Sequence, residues 1–260
     1  MPTVLPLLRR GLAAGALAGL ATGLFSLLLS EPLMDHAVRL EEQSREARSH
    51  RHGQGATAAV VHHHEELFSR GAQHFGLVVT TVVAGLALGA LFGVVYALVN
   101  RRSDPGVGPW PRAMSLAGAG FVALSLLPGL RYPAVPPGVG DSGTVRDRQL
   151  LWLAAVAIGV LGVLLAWQVG RRLADRSAPR RHVAVACSLV AVLAVLFTLP
   201  DNPDTVAVPA TLLWDFRLQS LAAHALLWAV LGAVFGALGL RAGSRAVPAV
   251  RPTAPQSTPV

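Results

Sequence analysis

The side chains best equipped for chemistry are concentrated in one stretch, EPLMDHAVRLEEQSREARSHRHGQGATAAVVHHHEELFSRGAQH, running from Glu31 to His74. It holds seven of the nine histidines and seven of the fourteen acidic residues. Imidazole nitrogen and carboxylate oxygen are ligands of divalent cobalt, nickel and zinc. Glu31-Pro32 suits a helix opening, because proline is tolerated in a first turn. A helix running on from there puts Glu31 and Asp35 on one face, with His36 adjacent. In the second half, His62, His63 and His64 precede Glu65 and Glu66. On a helix, His62, Glu66, Arg70 and His74 form one stripe, and His62 or His63 can chelate an ion together with Glu66. The spacing matches no defined metal site. Metal capture and a solvated loop with incidental histidines both fit the stretch. Affinity alone would favour copper over cobalt, so the metal stays open.

His224 is the one histidine inside a long apolar run, where it shares a helix face with Ser220 and Trp228. Ionisable groups within a membrane mark functional positions by default. The alternative is a neutral ring bonded to a carbonyl of a neighbouring helix. His182 ends an arginine-rich loop and reads as interfacial.

Other chemistries lack their residues. The chain has no lysine, so it has no nucleotide-binding G-x-x-x-x-G-K-[ST] motif. No G-x-S-x-G, H-E-x-x-H or C-x-x-C occurs. We therefore expect no enzyme, no catalytic residue and no resident cofactor. The single cysteine, Cys187, lies in an apolar run and reads as a small buried side chain.

The elements that hold these residues are set by hydropathy. Of 260 residues 53% are hydrophobic and 14% charged, against about 25% charged in soluble domains. Apolar runs fall at about 11–30, 75–99, 113–130, 150–170, 183–200 and 218–240, and none contains Asp, Glu or Arg. Each is near the length that crosses about 30 Å of hydrocarbon as a helix. The expected fold is therefore all-α, a polytopic bundle of six transmembrane helices. A single membrane domain over 1–245 carries the His- and acid-rich loop 31–74, and 246–260 reads as a disordered tail. The first run is longer than a signal-peptide core and lacks a convincing cleavage site, so it reads as a retained span.

Arginine placement orients the bundle. One side collects thirteen arginines against two aspartates, the other nine arginines against twelve acids. By the positive-inside rule both termini are cytoplasmic and the histidine loop faces outward. The same account explains the net charge of +8 without nucleic acid. Trp110, Trp152, Trp167 and Trp214 lie near span ends, as interfacial aromatics do, whereas Trp228 is mid-span and reads as packing. Gly11, Gly15, Gly19 and Gly23 repeat every fourth residue in span 1. Gly85, Gly89 and Gly93 do so in span 2, and Gly232 and Gly236 in span 6. Such faces let helix backbones approach closely. A tight bundle of spans 1, 2 and 6 is expected, or contact with a partner helix.

Two polar clusters read as structural. Arg131, Arg146 and Arg148 lie near Asp141 and Asp147 and are expected to pair with them. Asp215 and Arg217 flank Phe216 where span 6 is expected to begin; Asp215 is favourable beside a helix N-terminus, and closing over the histidine loop is the alternative role of the pair.

Three stretches together resemble the CbtA family of cobalt transporter subunits: EPLMDHAVRLEE after span 1, RYPAVPPGVGD at 131–141, and LLWDFRLQSLAAHALLW at 212–228. The family's proline stretch often carries asparagine where this chain has Val135. The resemblance implies a multi-pass inner-membrane protein for cobalt uptake, serving cobalamin biosynthesis. It also implies a small single-span CbtB-like partner with its own histidines.

The function expected from all this is a membrane subunit of a divalent-metal importer for cobalt, its outer loop collecting the ion. The metal candidates are Glu31, Asp35, His36, His62, His63, His64, Glu66, His74 and His224. The competing function is a non-transporting scaffold or accessory subunit. Expected surroundings are the lipid bilayer and the small subunit, with a homo-oligomer left open.

Overall fold

The computed structural model describes residues 4–30, 70–100, 106–136, 141–204 and 209–245. Among them the regular structure is helical throughout, without a strand. The helices are α1 (Val4–Phe25), α2 (Arg70–Asn100), α3 (Pro109–Phe121), α4 (Leu127–Arg131), α5 (Val145–Arg172), α6 (Ala178–Leu196) and α7 (Ala210–Arg245). α3 and α4 form one continuous span, giving six helical units long and apolar enough to cross a membrane. The expected six-span architecture is the observed one.

The helices overrun the apolar segments at several ends. α2 begins at Arg70, α5 at Val145 and α7 at Ala210, so helical turns precede each of these hydrophobic runs. Hydropathy stops where lipid ends, but helical hydrogen bonding continues. Asp215 consequently lies beyond the first turn of α7 and is exposed, instead of standing at the helix N-terminus. The fifth span ends earlier than expected, at Leu196.

Two spans carry wide turns. Ser26–Ser30 closes α1 with a π-helical turn, and Val122–Leu126 joins α3 to α4 in the same way. The second has a visible cause. Pro128 has no N–H to offer the preceding turn, and a widened turn lets the helix continue.

Spans follow one another laterally in the order 2, 1, 6, 3, 4, 5. The glycine face of α1 meshes with that of α2. A Cβ on Gly11 would strike the Gly89 carbonyl, and one on Gly15 would lie 2.9 Å from the Gly89 Cα. The third pair of glycines behaves otherwise. Gly232 and Gly236 of α7 receive Ala117, Met114 and Trp110 of α3, so these two glycines face span 3 and not span 1. Beside them Phe92, Tyr96 and Phe235 form an aromatic cluster, the Phe92 and Phe235 centroids 5.0 Å apart and nearly edge-on. A second core joins spans 3, 4 and 5 through Leu127, Ala155, Val192 and Leu196.

Trp228 is buried, as its mid-span position suggests. Its ring fills a notch at Gly120, where a Cβ would come within 2.5 Å of it, and its Nε1 donates to Ser125 Oγ at 3.1 Å. Trp110, Trp152, Trp167 and Trp214 are all exposed. Arg171 lies 4.8 Å over the Trp167 ring, a cation–π contact suited to a membrane boundary. Cys187 is exposed on α6, not buried as its apolar surroundings suggest.

Candidate functional site

Polar side chains gather at the end of the bundle where residues 30 and 70 stand, the histidine-loop end. The rim there is pinned by ion pairs between two connections, the one after α4 and the one after α6. Arg131 Nη2 donates to Asp201 Oδ1 at 2.7 Å and to the Leu199 carbonyl at 2.5 Å. Tyr132 donates its hydroxyl proton to the Pro200 carbonyl at 2.7 Å. Thr144 Oγ1 donates to Asp204 Oδ1 at 2.6 Å, and Arg148 stands 3.1 Å from Asp204 Oδ2, an ion pair whose alignment falls short of a hydrogen bond.

These partners differ from the expected ones. Arg131 and Arg148 pair with Asp201 and Asp204, which lie 70 and 56 residues further along the chain. Arg148 reaches only the backbone carbonyl of Asp141, whose carboxylate accepts from the Gly143 N–H at 2.8 Å. Chain proximity suggested Asp141 and Asp147, but the fold places the later aspartates nearer. Asp204 has only 5% of its side chain exposed. Removing one partner of a shielded pair leaves the other unmatched. Asp204→Ala should therefore lower the thermal unfolding midpoint in detergent, at a cost of about 2–3 kcal/mol after discounting for the 26% exposure of Arg148. An unchanged midpoint would mean the rim is held by other contacts.

Two clefts open beside the loop-end half of α7. The larger, about 820 Å³, lies between spans 3, 4 and 6 and includes Ser125, Arg148, Trp152, Trp214, Arg217 and His224. The smaller, about 560 Å³, lies between spans 1, 2 and 6 and includes Thr22, Ser26, Thr81, Ser220 and His224. His224 and Ser220 border both, so this face of α7 is the wall between them.

His224 Nδ1 lies 2.8 Å from the Ser220 carbonyl one turn earlier. A carbonyl only accepts, so Nδ1 carries the proton, and in the neutral ring Nε2 holds the free lone pair. The carbonyl is thus one of α7 itself and not of a neighbouring helix, and the other ring nitrogen is left as an available ligand atom. Thr22 Oγ1 is shielded from solvent and has no hydrogen-bond partner among the described residues, while Thr81 Oγ1 donates to the Val78 carbonyl at 2.9 Å.

His74 stands in the second turn of α2, partly buried at the same end. Glu31, Asp35, His36, His62, His63, His64 and Glu66 lie outside the described residues. Among the described residues no three His, Cys, Asp or Glu side chains converge on a metal position. The features missed from sequence are the hydroxyls Thr22, Ser26 and Thr81. Hydroxyls spaced along otherwise apolar spans were the available signal.

The comparison with known proteins is decided by coverage. Residues 5–239 match the family model described as probable cobalt transporter subunit (CbtA). The chain belongs to the CbtA family. The match takes in all six spans, the pinned rim and both clefts, so the CbtA assignment concerns the whole bundle. No curated protein and no solved structure matches the chain. As a CbtA member it is a transporter subunit with six helices able to cross a membrane, fitting a multi-pass membrane protein.

Proposed function

We propose that this CbtA-family chain is the membrane subunit of a cobalt uptake system in the cytoplasmic membrane. Both termini are cytoplasmic, and the outward loop collects the ion through His62, His63, His64, Glu66 and His74, with Glu31, Asp35 and His36 as further ligands. The observation that carries the proposal is the family match over residues 5–239. The smaller cleft supports it by giving a cation a way in from the loop end.

Charge distinguishes the clefts. The larger contains two arginines against one nearby aspartate and repels a cation. The smaller holds hydroxyls and His224 with no arginine, which suits a passing divalent ion. His224 Nε2 is then a transient ligand within the span. Among the described residues no carboxylate lines either cleft. Weak, sparse ligation favours release as well as entry. The membrane potential supplies sufficient drive: a divalent cation moving inward gains roughly 4.6 kcal/mol per 100 mV. A small single-span partner of CbtB type completes the system, and the chain itself performs no catalysis.

Capture by the loop requires neutral imidazole, whose unperturbed pKa is about 6.5. Protonation as pH falls through that value removes the lone pair. A synthetic peptide covering residues 50–74 should therefore bind cobalt at pH 7 and lose most of it by pH 5. Equal binding at both pH values would exclude histidine as the ligand. The function as a whole is tested by accumulation: cells expressing the chain with its partner should take up more cobalt than cells lacking both. Equal uptake would favour the scaffold alternative.

A further inference from the structure

We propose that the larger cleft seats an anionic phospholipid, its phosphate on the Arg217 guanidinium and one acyl chain along the apolar wall. Charge is the first argument. Arg148 is matched by Asp204, but Arg217 has neither an ion pair nor a hydrogen bond among the described residues. Its Nε is shielded from solvent as well. Asp215, two residues away, is exposed and makes no ion pair with it. Arg217 is half-buried overall, so its terminal nitrogens remain available; a partly desolvated guanidinium gains from an anion, and its planar donor array fits two oxygens of one phosphate.

The wall supplies the second argument. The cleft holds about 820 Å³, and Leu130, Leu153 and Leu218 along it are 50%, 55% and 51% exposed. In a span, apolar exposure of that extent faces acyl chains. Free phosphate would match the charge but leave this wall uncovered. Depth is the third argument. Arg217 stands about 10 Å into α7 from Ala210, between Trp214 at the boundary and His224 further in. Trp152 and Trp214, both exposed, flank the cleft at the level where headgroups lie. Gln149 and Asn202 add amide donors to its lining.

Native mass spectrometry of the full chain in detergent tests this. The probes are phosphatidylglycerol, diacylglycerol with the same acyl chains, and inorganic phosphate as competitor. Phosphatidylglycerol should stay bound at activation energies that strip diacylglycerol, and millimolar phosphate should not displace it. Arg217→Gln should lower retention about tenfold, the loss expected from one charge-assisted contact, with Arg217→Lys in between. Arg146→Gln, an exposed change at the same end, should leave retention unaltered. Equal retention of the two lipids by the unaltered chain overturns the proposal, and that comparison requires no variant to fold. Displacement by phosphate overturns it too, assigning the site to a free anion, as does full retention by folded Arg217→Gln.

Discussion

Changing His62, His63, His64 and Glu66 together to alanine should cut cobalt accumulation about tenfold at subsaturating external cobalt, with the protein level unchanged. Losing the donor set of a site commonly costs that much or more in metal affinity. The defect should narrow as external cobalt rises, because a collector raises local concentration without forming the passage. His224→Ala should behave differently. It alters the wall shared by the two clefts, so its defect should persist at saturating cobalt. Uptake measured across a cobalt series separates them. Unchanged accumulation by the fourfold variant at every concentration, with normal protein level, would assign the histidines no role in transport.

Gly15→Leu should disrupt the bundle itself. At Gly15 even a Cβ meets backbone: the Gly85 carbonyl carbon and the Gly89 Cα each lie 2.9 Å from where it would stand. Backbone cannot turn aside as a flexible side chain can, so α1 and α2 must separate. The separation also loosens Ala14 and Ala18, which are fully buried in the same core. Overpacking typically costs about 1–3 kcal/mol, and a leucine against two backbones belongs at the upper end. The expected result is a large fall in folded protein recovered in detergent and a lowered unfolding midpoint. Gly118→Leu is the control, because a Cβ there meets nothing within 4 Å. Equal recovery of both variants would refute close backbone contact between spans 1 and 2.

The six spans were legible because lipid imposes a simple rule: about 20 apolar residues without charge must form a helix. That rule reads where hydrocarbon ends, not where the helix does. Arg70–His74 and Ala210–Arg217 are helical turns that hydropathy assigns to loops. Glycine spacing revealed which faces are thin but not what they face. Gly11–Gly23 could be matched to Gly85–Gly93, whereas Gly232 and Gly236 turned out to meet Ala117 and Trp110. Identity of a partner depends on lateral order, which local spacing does not encode. The rim has the same origin. Arg131 and Arg148 found aspartates beyond the next two spans because the connections after α4 and α6 lie side by side at one end. Of the site, His224 was legible as an ionisable group in an apolar run. Arg217 was legible as a neighbour of Asp215 at the start of span 6, but its depth was not, because α7 starts earlier, at Ala210.

Cobalt flux into proteoliposomes, with the purified chain and its single-span partner inserted and the potential set by ion gradients, tests the central claim most directly. Labelled cobalt should enter faster than into protein-free vesicles, and an inside-negative potential should increase the rate. Flux no greater than in protein-free vesicles, with and without the potential, would contradict the account.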